Sequence, residues 1–134
     1  PGANFNEPHE AAVNSIATGL KDLKILKGSL DSIIERGTYR KFFVHRTSHW
    51  LGMDVHDVGE YRLSDHWRLL EPGMVLTVEP GIYVPASKGF PTAWQGIGIR
   101  IEDDVLVTRK GPEVLTHGVP KAPDQIEALM ASSH

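Results

Sequence analysis

"LEPGMVLTVEPGIY", Leu70 to Tyr83, is where this chain changes its period. Before it, apolar residues recur at three- and four-residue spacing; from Met74 they alternate. MVLTVE (Met74–Glu79) reads as a strand set between two Pro-Gly turns, at Glu71–Gly73 and Glu79–Gly81, and Ile82–Val84 continues extended. Working upstream, Val13, Ile16, Ala17, Leu20 and Leu23 predict a helix from Asn6 to Lys27, with Asn6 as its cap, Pro8 in its first turn and Gly28 as its end. A shorter helix is expected from Ser29, with Leu30, Ile33 and Ile34 on one face and Gly37 as its stop. Working downstream, PASKGFPTAWQG is a loop with no usable periodicity, and IGIRIEDDVLVT (Ile97–Thr108) is strand again, bent near Asp103–Asp104. Along it Ile97, Ile99 and Ile101 face one way and Arg100 and Glu102 the other. GPEVLT is a brief extended piece, and PDQIEALM predicts a C-terminal helix capped near Asp124. Helices first and strands later imply an α+β fold with an antiparallel sheet.

The chain's 134 residues, 40% hydrophobic and 23% charged, suit one domain with its own core. A net charge of −3 gives no reason to expect nucleic acid or an anionic membrane as partner, and no apolar run is long enough to span a bilayer. No basic-then-apolar leader is read at the start. With no cysteine, disulfides and thiolate zinc sites are excluded, which fits a cytoplasmic setting. The first residue is Pro1, so a processed product or a piece of a longer protein is expected.

The chemistry concentrates in HRTSHWLGMDVHDVGEYR, His45 to Arg62, which carries His45, His49 and His56 among apolar neighbours. Two carboxylates, Glu79 at a strand end and Glu102 inside a strand, sit in strongly apolar β context. An ionised carboxylate in such surroundings needs an arginine, a histidine or a metal ion. Arg100, two residues from Glu102 on the same face, could serve as a plain ion-pair partner. The imidazoles and carboxylates together also make a nitrogen and oxygen donor set suited to Mn, Fe(II), Co or Zn. Spacing leaves both readings open.

HRTSHWLGMDVHDVG, LEPGMVLTVEPGIY and GIGIRIEDDVLVT, in that order and at these intervals, resemble three motif blocks of the aminopeptidase P (Xaa-Pro aminopeptidase) family, metallopeptidases with the pita-bread fold. PGANFNEPHEAAV through LKDLKILKGSLDSIIE resembles the helical stretch that precedes them, so the likeness covers nearly the whole chain. It implies that residues 1–134 are the C-terminal part of a pita-bread domain, a curved antiparallel sheet with helices on one face. It implies His49, Glu79 and Glu102 as metal ligands, Glu79 also handling protons and Glu102 bridging two ions. His45 and His56 would contact substrate or stabilise the reacting carbonyl, and Arg100 and Tyr83 would line the site.

The implied cofactor is a pair of divalent ions, manganese first, with cobalt, iron or zinc as alternatives. The implied substrate is a peptide with proline in second position. Two aspartate ligands of the family lie on strands with no counterpart here. The chain alone is therefore expected to be inactive, to bind at most one ion weakly, and to self-associate as a homo-oligomer through the sheet edge left bare. A prolidase-type dipeptidase and a non-catalytic pita-bread binding module are the alternatives.

Overall fold

The computed structural model describes residues 1–132. Helix α1 (Glu7–Asp22) buries Val13, Ile16, Ala17 and Leu20, the face set by its three- and four-residue spacing. It starts where expected, with Asn6 at the cap position and Pro8 in the first turn, but the Asn6 side chain makes no capping hydrogen bond. Instead Asn4 Oδ1 accepts from Asn6 N–H while Glu7 Oε1 accepts from Asn4 N–H, a reciprocal closure one residue pair earlier. The helix also ends before Gly28, because Lys24 takes a left-handed φ of 60° and Ile25 and Leu26 fold back, both donating to the Leu20 carbonyl. Helix α2 (Leu30–Glu35) keeps its expected cap, with Ser29 Oγ accepting from Ser32 N–H, and Gly37 turns the chain at φ 63°.

A hairpin of β1 (Arg62–Leu63) and β2 (His66–Trp67), not anticipated, precedes the expected strands. β3 (Val75–Val78) pairs antiparallel with β6 (Asp103–Thr108), which pairs with β7 (Gly111–Val114); β4 (Gly81–Tyr83) pairs with β5 (Gly98–Arg100). The interruption of the long strand falls at Ile101–Glu102, two residues before the expected bend. Its cause is Pro80, which has no N–H to give to the ladder. The register nevertheless stays in step across the gap, Val78 with Asp103 on one side and Gly81 with Arg100 on the other. The result is a bent antiparallel ribbon whose kink lies between the two glutamates. Helix α3 (Pro123–Ala131) has Ala122 at its cap position and Asp124 only in its first turn, and it buries none of its residues.

Two apolar clusters support the ribbon. One joins α1 and α2 to Tyr39, Phe42, Phe43 and Val84; the other joins Phe5, Trp50, Leu70, Leu76 and Val107. The histidine-bearing segment passes between them.

Candidate metal centre

Residues 47–51 lie along β3 as an added edge. Glu79 N–H donates to the Thr47 carbonyl (2.8 Å), Thr77 N–H to that of His49 (3.0 Å), and Leu51 N–H to that of Val75 (3.2 Å). Side chains alternate along such a segment, so Trp50 enters the core while His49 turns to the cavity. His49 Nδ1 lies 2.9 Å from the Trp50 carbonyl, which can only accept, so Nδ1 carries the hydrogen. The lone pair of Nε2 in the neutral ring is thereby aimed outward, 3.1 Å from Glu79 Oε1.

The in-step register sets Glu79 opposite Glu102 across the kink. Glu79 is well enclosed, its side chain 12% exposed against 39% for Glu102. Arg100 Nε stands 3.7 Å from Glu79 Oε2 and 3.9 Å from Glu102 Oε2. The plain ion pair read from the sequence is real, and it serves both carboxylates. One arginine against two glutamates leaves a net negative charge.

Ligand atoms of His49, Glu79 and Glu102 all lie within 4.8 Å of one another. Donors that share a divalent ion at roughly 2.0–2.2 Å stand no more than about 4.4 Å apart, so small side-chain shifts close the set. The donor types, the residual negative charge and the outward Nε2 fit a divalent cation.

One cavity of about 680 Å³ is lined by His45, His49, His56, Glu79 and Arg100, together with Phe5, Arg46, Ser48, Tyr61 and Trp67. The His56 ring stands edge-on to His49 at 4.4 Å. His45 Nδ1 donates to the Arg46 carbonyl (2.7 Å), which leaves Nε2 to accept from the Tyr83 hydroxyl (2.9 Å). All seven residues singled out from the sequence thus come together.

Two further residues do not stand out in the sequence. Thr77 is buried and gives its hydroxyl hydrogen to Glu79 Oε1 (3.1 Å) while accepting from His49 N–H (3.1 Å). Thr47, also buried, pairs its hydroxyl with His9 Nδ1 at 2.9 Å. Burial, and then Arg46, holds the His9 pKa below its ordinary value. The available signal was phase: Thr77 is two residues before Glu79 and so shares its face.

A kinked antiparallel ribbon thus gathers an imidazole and two carboxylates about one point, a donor set suited to a divalent cation. The chain belongs to metallopeptidase family M24, whose model matches residues 1–109. It is 50% identical to the Xaa-Pro aminopeptidase of Escherichia coli over 99% of its own length and 30% of that protein. Among solved structures it superposes on an aminopeptidase of Pseudomonas aeruginosa with TM-score 0.94 at 57% identity, covering 98% of this chain and 30% of the other. Zinc-substituted E. coli aminopeptidase P in complex with product matches at TM-score 0.92 and 50% identity, over 100% of this chain and 30% of that one. The fold is thus the C-terminal part of a pita-bread architecture, and the chain spans about a third of the length of these relatives.

Proposed function

We propose that this chain supplies His49, Glu79 and Glu102 as metal ligands to an Xaa-Pro aminopeptidase, which removes the N-terminal residue of peptides whose second residue is proline. The observation that carries the proposal is the convergence of those three side chains within 4.8 Å. The 50% identity to an Xaa-Pro aminopeptidase over 99% of this chain supports it. Residues 1–134 form the C-terminal part of the catalytic domain, the two aspartate-bearing strands and an N-terminal domain lying outside them. The complete site takes two ions, with manganese the first candidate and cobalt, iron or zinc the others. This chain by itself takes one at most, weakly, because two carboxylates offset a single divalent charge. A cytoplasmic setting and self-association through the β5 edge belong to the same proposal; Ile97, Ile99 and Ile101 are exposed there.

His49, Glu79 and Glu102 would hold the metal, which when bound would polarise the scissile carbonyl and lower the pKa of water towards neutrality. Glu79, oriented by the Thr77 hydroxyl, accepts the proton of the attacking water and returns it to the departing proline nitrogen. With both of its nitrogens engaged, neutral His45 has no N–H left for the substrate, and its work is to orient the Tyr83 hydroxyl. His56, exposed at the cavity wall, is the histidine able to donate to the developing oxyanion, a contact worth about 3 kcal/mol. Arg100 stands between the two glutamates, its Nε 3.7 Å from Glu79 Oε2 and 3.9 Å from Glu102 Oε2.

Metal titration paired with hydrolysis of an Xaa-Pro peptide tests the proposal. The expected outcome is at most one weakly held ion, abolished by Glu102→Ala, and no turnover by this chain alone. Two tightly held ions, or turnover near that of an intact enzyme, would show that the missing ligands are recruited from elsewhere. Metal affinity indifferent to both His49→Ala and Glu102→Ala would sink the ligand assignment.

A further inference from the structure

We propose that Arg46, Arg62 and Trp67 form a subsite at the rim of the metal cavity that binds a carboxylate carried by the third residue of a peptide. The position assigned to that carboxylate rests on the aminopeptidase reading; the subsite itself rests on its own geometry.

Arg46 and Trp67 line the same cavity as His49, Glu79 and Arg100. Both guanidinium groups stack on one indole, Arg62 at 4.1 Å and Arg46 at 5.0 Å from the Trp67 ring centroid. Among the described residues neither arginine forms an ion pair with a carboxylate. The hydrogen bond that Arg46 makes is to the amide oxygen of Asn6, whose own amide nitrogen donates to Glu10 Oε1 at 2.6 Å. Glu10 is thus hydrogen-bonded to the amide that bridges it to Arg46 and forms no ion pair with the guanidinium. Desolvation, and then the charge of Arg62, holds the proton affinity of Arg46 below its ordinary value. Two like charges gathered on one aromatic surface, open to solvent and without an ion-pair partner among the described residues, favour an anion from outside.

Reach selects which anion. Arg46 is three residues from His49, so their Cα atoms are separated by no more than about 11 Å. A peptide with its scissile carbonyl at His49 and Glu79 advances about 3.3 Å per residue, which sets its third residue roughly 7 Å along. An arginine side chain spans what remains. The carboxylate can be the free C-terminus of a tripeptide or an acidic side chain at that position.

The test is peptide titration of this chain, followed by NMR at the Trp67 indole N–H, assigned with Trp67→Phe. The probes are Ala-Pro-Leu, its C-terminal amide, and Ala-Pro-Glu amide. Both carboxylate-bearing peptides are expected to bind about fivefold more tightly than Ala-Pro-Leu amide, and the preference should fade with added salt. Arg46→Gln should remove the preference, and Arg62→Gln should weaken it, with the amide's affinity unchanged in each. A preference confined to Ala-Pro-Leu assigns the subsite to a free C-terminus; one confined to Ala-Pro-Glu amide assigns it to an acidic side chain. Equal affinity for all three peptides, no response from any of them, or a preference that survives both glutamine variants overturns the proposal. Metal titration of the same samples separates the two readings, since loss of metal binding counts against the peptidase site and not against a carboxylate preference.

Discussion

Thr77 carries no charge and offers no metal-binding atom of its own in this arrangement, yet its hydroxyl holds Glu79 and the backbone of His49 at once. Thr77→Val keeps the shape and leaves the buried His49 N–H without that acceptor. The variant is expected to lose about 1–3 kcal/mol of stability and about tenfold in metal affinity, read by denaturant unfolding and calorimetric titration. Undiminished metal affinity would reduce Thr77 to a packing residue. His9 yields a pH prediction. Its folded-state pKa lies below 6.5, so as pH falls past that value the unfolded chain takes up the proton first. Stability should therefore decline from about pH 6.5 down to the depressed folded-state pKa and then level off. His9→Gln should flatten that part of the curve, and a wild-type slope equal to the variant's would refute the assignment. Donor types made the three histidines and two glutamates legible in the sequence, and the family resemblance added Tyr83 and the expected roles. The supporting hydroxyls were not, because a threonine in a strand looks the same whether it faces solvent, packing or a carboxylate.

The elements follow the same division. α2 was legible because its start and stop are local, a serine hydroxyl and a glycine at positive φ. Ser29→Ala should accordingly cost about 1 kcal/mol, measured as a shift of the denaturant midpoint at unchanged slope. A change below a few tenths would mean the hydrogen bond to Ser32 is not a working cap. α1 was placed correctly at its start, with Asn6 at the cap position though without the side-chain bond, and misjudged at its end, where Ile25 and Leu26 return to the core. Periodicity does not register that return. The strand from Ile97 to Thr108 was legible in content and not in its break, which is set by Pro80 on the opposing strand and so is absent from the strand's own residues. The β1–β2 hairpin of two-residue strands is too short to carry a period.

At the scale of the molecule, an apolar groove of about 330 Å³ runs between α1 and the β4–β5 pair, bounded by Ile16, Leu20, Leu23, Ile82, Ile97 and Ile99. Ile99 is 59% exposed on a strand bonded on one side only. Isoleucine alternation had set Ile97, Ile99 and Ile101 on one face, and among the described residues that face is left largely open. The chain should therefore associate with concentration in sedimentation velocity, and Ile99→Asp should return it to monomer without altering metal affinity. A wild-type chain monomeric at all concentrations would contradict this. The α+β class was readable because it depends on the order of elements, whereas the extent of bare apolar surface depends on how those elements pack, which alternation along one strand does not register.

The kink at Pro80 also fixes where the chain can tolerate a change in length. The loop from 85 to 96 is clamped at its base, Val84 N–H donating to the Ile97 carbonyl and Gly96 N–H to that of Val84. Residues added within that loop leave the ladder on either side in step, and such insertions should be neutral for metal affinity. One residue added between Val78 and Gly81, or between Arg100 and Asp103, slips the pairing and turns a glutamate to the opposite face. The two carboxylates thus share a reading frame kept by backbone hydrogen bonds: sequence drift can lengthen the arch above them freely, while a single-residue indel beside either one erases the site outright.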